Sequence, residues 1–263
     1  VSLDSLKWQI AIIGAGNVAW HISKQLCNRG VHIAQVISRS KDSAAALAKV
    51  LDTGFSDDLS SLAPGNDACI ICISDDAIEE VARKACFGNS LVLHTAGSIS
   101  MNVFEGHAKH YGVLYPFQTF TRDRVIDLHE IPLLIEANTP ENLEKIKQLA
   151  SLISGRIIEA GSEVRIFLHL AGVFANNFSN HMYVLAEEIL QEKRLDTSLI
   201  KPLITETAAK ALSMSASSAQ TGPAVRGNLK VMEKHLSLLA GRPDLQKIYQ
   251  LLSESIQKRS LRK

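Results

Sequence analysis

The chain has almost no surplus of charge: across 263 residues, 28 Lys and Arg stand against 27 Asp and Glu, a formal net charge of +1. Nothing in that balance attracts nucleic acid or an anionic membrane surface, and neither is expected as a partner. No apolar run approaches the roughly 20 residues that a membrane-crossing helix needs. The opening VSLDSLKWQI lacks both the basic start and the apolar centre of a secretory signal, so a cytoplasmic location is expected. Cysteines number four, Cys27, Cys69, Cys72 and Cys86. Cys69 and Cys72 fall in one predicted strand, where side chains three residues apart leave opposite faces, which suits neither a disulfide nor a metal clamp. They read as buried thiols in a reducing compartment. His107 and His110 lack obvious partners, no serine sits in a nucleophile elbow, and no metal site is expected. Internal repeats and low-complexity tracts are missing too.

What is present is an alternation. WQIAIIGA reads as a strand, NVAWHISKQLCNRG as a helix closed by Gly30, and VHIAQVIS as a second strand. SKDSAAALAKVL is helical, DACIICIS a strand, DAIEEVARKACF a helix and SLVLHTAG another strand. After a helical MNVFEGHAKH come GVLYPFQTF and IPLLIEA, both strand-like, with Pro132 suited to the start or edge of the latter. Strands joined by helix-length connections imply parallel pairing, hence a doubly wound α/β sheet of the Rossmann type. The apolar runs are continuous, as expected where both faces of a sheet are covered. From Ser162 onward only helical periodicity remains: EVRIFLHLAGVFANNFSNHMYVLAEEILQEK as one long helix, then SLIKPLITETAAKAL, NLKVMEKHLSLLAG and PDLQKIYQLLSESIQKR. A boundary near residue 160 therefore divides a nucleotide-binding domain, 1–160, from an all-helical domain, 161–263. No Gly/Ser linker joins them, and close packing is expected.

GAGNVA, residues Gly14, Ala15, Gly16, Asn17, Val18 and Ala19, has the G-x-G-x-x-A form of a dinucleotide fingerprint. Gly14 permits the tight turn, Gly16 lets the backbone approach a pyrophosphate, and Ala19 keeps the helix close to the sheet. Its place between a predicted strand and helix is the context such a motif requires. NAD sites usually carry an acidic residue at the end of the second strand, and here stand Ser38, Arg39 and Ser40. A guanidinium flanked by hydroxyls suits a 2′-phosphate, so NADP(H) is the expected cofactor. Other strand ends should converge on the same crevice, bringing Ser74 and Asp75, then His94, Thr95, Ala96 and Gly97. Asp75 or Asp76 reads most simply as a helix N-cap. His94 titrates near neutrality in an ordinary setting and reads either as a catalytic acid or as a structural histidine. Tyr115, Pro116, Phe117 and Gln118 end the next strand and add walls to the pocket.

On the long helix, steps of about 100° bring His169, Asn176, Asn180 and Tyr183 onto one face, with Phe174, Phe178, Met182 and Leu185 opposite. Side chains that both donate and accept suit a lined cleft as well as a solvent face. In TGPAVRGN, Thr221 opens a turn, Arg226 is a fixed cation and Asn228 is a good N-cap, so the stretch reads as an anion site or as a loop tied down by arginine.

HTAGS, YPFQTF, LAGVFANNF and TGPAVRGN together resemble a bacterial family that joins a Rossmann-like NADP-binding domain to an all-helical domain of unknown function. More distantly the layout is similar to pyrroline-5-carboxylate reductases, deazaflavin-dependent NADP reductases and β-hydroxyacid dehydrogenases. The resemblance implies a small substrate between the two domains, often with help from a second subunit. The β-hydroxyacid dehydrogenases carry a K-x-x-x-N pair on the first helix of the second domain. Here the lysine place falls on Val173 if Asn177 fills the asparagine place, or on Gly172 if Asn176 does. Their general acid is missing, and His169 is the replacement donor on the same helix. The expectation is an NADP-dependent oxidoreductase acting on a small polar imine, carbonyl or hydroxy compound, dimeric through its helical domain. His94 and His169 are its candidate catalytic groups, and Gln118, Asn176, Asn177, Asn180, Thr221 and Arg226 its candidate substrate contacts. The alternative is a non-catalytic sensor of NADP(H) or of a metabolite, which the missing lysine favours.

Overall fold

In the computed structural model, which describes residues 8–260, the apolar runs of the first half become strands. They are β1 (Gln9–Ile13), β2 (His32–Ile37), β3 (Gly54–Ser56), β4 (Ala68–Ile71), β5 (Leu91–His94), β6 (His110–Pro116), β7 (Leu133–Ala137) and β8 (Ile157–Glu159). The segment VSLDSLK, on which the expectation about a secretory signal partly rests, lies outside the described residues. One eight-stranded sheet results, in the order β3-β2-β1-β4-β5-β6-β7-β8. The doubly wound sheet read from the sequence is there, with one ladder of the other kind: β6 and β7 pair antiparallel while the remaining neighbours are parallel. A parallel return needs a crossover, usually helical, and the connection from β6 to β7 holds only a short 3₁₀ turn, Leu128–Glu130. MNVFEGHAKH also falls short of a helix, giving only the 3₁₀ turn Met101–Phe104.

Helices α1 (Asn17–Asn28), α2 (Lys41–Leu51), α3 (Asp75–Lys84) and α4 (Pro140–Ser151) connect the strands. Local chemistry starts two of them. The Ser40 hydroxyl accepts from the Ser43 N–H at 3.3 Å to cap α2. Thr139 accepts from the Asn142 N–H at 3.2 Å to cap α4, with Pro140 in its first turn, where no N–H is needed. Alternate residues of β1 enter two separate cores: Ile10 and Ile12 pack with Ile22, Leu26 and Leu93, while Ala11 and Ile13 pack with Ile71, Ile78 and Phe104. Cys69 and Cys72 divide between the same two cores, as the strand geometry requires. Burial raises both thiols, that of Cys72 to about 12, so neither is a nucleophile at neutral pH.

The chain divides into two compact units, one ending at Asn177 and one beginning at Phe178. The first unit takes in α5 (Ser162–Gly172) and most of a π-helical turn, Val173–Phe178. Arg165 of α5 is fully enclosed. Its guanidinium donates to the Glu136 carboxylate at the end of β7, to the Ile99 carbonyl and to the Ser162 hydroxyl. An enclosed charge must be paired, and this pairing fixes where α5 starts against the sheet. The second unit contains α6 (Ser179–Glu192), α7 (Lys201–Ser213), α8 (Ala216–Ala219), α9 (Leu229–Leu238) and α10 (Pro243–Ser260). The long helix expected from residue 163 to 193 is thus interrupted by the π-helical turn. Inside the second unit Arg242 donates to Glu188 at 2.7 Å and also to Glu192, and His235 shares a 2.9 Å hydrogen bond with Tyr249. Among the described residues no helix is long and apolar enough to cross a membrane.

Candidate cofactor and substrate cavity

The turn between β1 and α1 can be made only by glycine. Gly14 has φ +108°, and a Cβ there would stand 2.1 Å from the Cys72 carbonyl oxygen. Gly16 precedes α1 and has no atom within 4 Å of where its Cβ would be, so its backbone faces open space. That space adjoins the first N–H groups of α1, which have no partner within the helix and carry the positive end of its dipole. Ala19 is buried instead against the sheet, the close packing expected of it.

A single cavity of about 1070 Å³ runs past this turn, and every residue lining it belongs to the first unit. Its middle is formed by Gly14 to Val18, Ser74, Asp75, Thr95, Ala96 and Gly97. The N-cap position of α3 is Ser74, not the aspartate expected there; Asp75 lies in the first turn, and its carboxylate accepts from the Ser98 hydroxyl. At one end stand Ser38, Arg39, Asp57 and Leu59, facing Ala77, Glu80, Val81 and Lys84 on one side of α3. Arg39 is exposed and forms no hydrogen bond or ion pair among the described residues. Ser40, expected beside it, faces α2 as its cap and does not line the cavity. At the other end are Tyr115, Phe117, Gln118 and Phe120 with His169, Asn176 and Asn177.

The two candidate histidines separate sharply. His94 is 0% exposed and does not line the cavity, so its expected place facing the cofactor crevice is corrected. Its ring lies 5.7 Å from that of Phe104, and its Nδ1 accepts from the Ala96 N–H at 3.2 Å. Strand alternation explains the difference: the last residue of β5 points into the core, and the chain reaches the cavity only at Thr95 to Gly97. Burial, assisted by the charge of Arg165, pushes its pKa down to about 3, so the ring is neutral at physiological pH. His169 is at the cavity, sharing a 3.1 Å hydrogen bond with the Tyr115 hydroxyl through Nδ1. Gly97 makes room for that pair, since a Cβ would stand 2.7 Å from His169 Nδ1 and 2.7 Å from Tyr115 Cζ. Burial, then the negative charge of Asp75, raises the Tyr115 phenol above its usual range and keeps it protonated.

The loop after β6 is tied to α1. Asn17 donates to the Phe120 carbonyl at 2.9 Å, His21 Nε2 donates to the Thr121 carbonyl at 3.0 Å, and the Arg122 guanidinium sits 3.6 Å from the centre of the Trp20 ring. Gly172 packs against Phe117 of this loop, where a Cβ would stand 2.9 Å from the ring, so a side chain at that one of the two lysine places would have to displace Phe117. Asn180, Thr221 and Arg226 belong to the second unit. Asn180 is exposed, and the Thr221 carbonyl accepts from Gln220 Nε2 at 3.0 Å. Sequence reasoning found the glycine turn, Arg39, His169 and the two asparagines. It gave Tyr115 only the part of a wall, and it missed the α3 face, whose Ala77, Glu80, Val81 and Lys84 recur at helical spacing.

Residues 9–96 match the model of an NADP oxidoreductase, coenzyme F420-dependent, and residues 131–256 match that of a domain of unknown function. The chain matches no curated protein. Among solved structures it is similar to a protein described as a "putative NADP oxidoreductase" from Bacteroides fragilis, at 43% identity and TM-score 0.91, over 96% of this chain and 98% of that one. The crystal structure of protein TM1727 from Thermotoga maritima has the same fold at 22% identity and TM-score 0.80, covering 95% of this chain and 99% of that one. An imine reductase from Myxococcus stipitatus, in complex with NADP+, shares the fold at 18% identity and TM-score 0.63, covering 95% and 93% of the two chains. With its glycine turn, its eight-stranded sheet and a near full-length relative at this identity, the chain belongs to the family that joins an NADP-oxidoreductase Rossmann domain to a helical C-terminal domain of unknown function.

Proposed function

We propose that the protein is an NADP(H)-dependent oxidoreductase whose substrate is a small polar imine, carbonyl or hydroxy compound. The observation that carries this reading is the Tyr115–His169 pair, a protonated phenol bonded to an imidazole at the end of the cavity opposite Arg39. NADPH, when bound, would supply the hydride. The chain must then hold the substrate, keep water out and deliver one proton to the nitrogen or oxygen that gains electron density. Gly16 and the N–H groups of α1 would hold the diphosphate, and Ser38 and Arg39 the 2′-phosphate. Gln118, Asn176 and Asn177 donate to and accept from the polar groups of the substrate. Phe117 and Phe120 give the same end of the cavity apolar walls. His169 is the general acid, with the Tyr115 hydroxyl at 3.1 Å holding its ring in place and sharing the proton. The imine reductase with the same fold supports the imine as the first substrate class to test.

The test is a panel of cyclic imines and 2-oxo acids followed by NADPH absorbance. With the compound that turns over, His169→Asn should lower kcat by 10²–10⁴-fold while NADPH affinity stays within about twofold. A metabolite that binds but is never reduced or oxidised would establish the sensor reading instead.

We also propose a homodimer through the helical part. Among the described residues of the second unit only Ala224, Leu245 and Ser253 are buried, whereas Leu203 is 67%, Leu238 73% and Leu212 90% exposed. Side chains of this kind gain most when a second copy covers them.

A further inference from the structure

The Arg39 end of the cavity contains more charge than a lone guanidinium. Ala77, Glu80, Val81 and Lys84 follow one another at i, i+3, i+4 and i+7, so a single face of α3 looks into the cavity along its whole length. Ala77 and Val81, with Leu59 across from them, form an apolar surface. Two opposite charges flank it: the Lys84 ammonium lies 2.6 Å from the Glu80 carboxylate. The Glu80 carboxyl is held below its usual range, first by its hydrogen bond with Lys84 and then by nearby positive charge that includes Arg39. Lys84 and Arg39 therefore act on the same carboxylate and line the same end of one cavity. Asp57 is the remaining acidic group lining this end.

An adenosine whose diphosphate rested at Gly16 would extend toward this end, because Ser38 and Arg39 directly follow β2, the strand next to β1. Ala77, Val81 and Leu59 would give its ring an apolar support. We propose that Lys84 is a second cationic ligand of the NADP 2′-phosphate, opposite Arg39, and that Glu80 is a positioning residue that keeps its ammonium at the rim when no phosphate is bound. This rests on the assignment of Arg39 to the same phosphate.

The experiment is equilibrium titration of the intact protein with NADPH, NADH, 2′-AMP and 5′-AMP at low and high ionic strength. Lys84→Met should weaken NADPH and 2′-AMP about five- to tenfold, the range for one exposed charge-assisted contact, and leave NADH and 5′-AMP within about twofold. Lys84→Arg should restore most of the loss, and the effect should shrink as salt rises. Lys84→Met that weakens all four ligands equally, or none, would overturn the proposal. Loss with Arg39→Ala but not with Lys84→Met removes Lys84 and leaves the Arg39 assignment standing. Loss with Lys84→Met alone removes Arg39 and, with it, the proposal that Lys84 is a second ligand beside it. Loss with neither removes both. Comparing the melting of each variant without ligand separates a folding defect from a binding one.

Discussion

The two units of this chain are held together by different means. In the first, Ile10, Ile12, Ile70 and Leu93 are completely enclosed, and even a guanidinium, that of Arg165, is taken out of water and given carboxylate and carbonyl partners. In the second, helices of similar length leave Leu203 and Leu212 largely in solvent, and its arginine cluster around Arg242 stays on the surface. A fold whose apolar faces are closed within the chain can hold side chains to a few tenths of an ångström. The cavity lies wholly in that part, with the Tyr115–His169 pair wedged against Gly97. The second unit has helices but little interior of its own among its described residues.

Three perturbations would sharpen or break this contrast. The largest effect is expected from Arg165→Leu, which strands the Glu136 carboxylate below the start of α5 and should cost about 3–5 kcal/mol in denaturant unfolding. A loss under about 1 kcal/mol would mean that the clamp contributes little and that the first unit is less tightly closed than described. A smaller effect comes from acid. His94 is neutral when folded, with a pKa of about 3, and takes up a proton near the ordinary value of about 6.5 once unfolded. Between those values the unfolded chain binds more protons, so stability should be complete above about pH 6.5 and fall by up to about 1.4 kcal/mol per pH unit below it. His94→Asn should flatten that slope; an unchanged slope would assign it to other groups. The smallest effect belongs to Leu203→Ala. On a bare helix face it should change unfolding by less than about 0.5 kcal/mol. In a dimer it should lower the midpoint in a way that depends on protein concentration, and sedimentation should show the dissociation directly.

The same contrast explains what could be read from the sequence. Fingerprint glycines and continuous apolar strands are local signals tied to backbone geometry, and GAGNVA after IAII led directly to the turn at Gly14. The one cue to the direction of β7 is the missing crossover helix in residues 117–132, a negative signal outweighed by the regular alternation before it. Strands β3 and β8, three residues each, are too short to show a period. His94 misled because a strand end has two sides, and one residue of register decides between core and cavity. Lys84 was hidden for a different reason: a lysine at the end of a helix is ordinary, and only the shared cavity with Arg39 gives it chemistry.

Because Asn17, Trp20 and His21 of α1 hold the loop carrying Phe120, Thr121 and Arg122, the helix proposed to face the cofactor diphosphate and the loop proposed to wall the substrate end are fastened as one piece. Substrate preference and cofactor grip are then not independent properties to be tuned one at a time. An engineer who remodels residues 117–122 for a new substrate would shift NADPH affinity as well, and selection for one trait would drag the other along. Homologues would be expected to exchange the loop and the exposed face of α1 together, as a cassette.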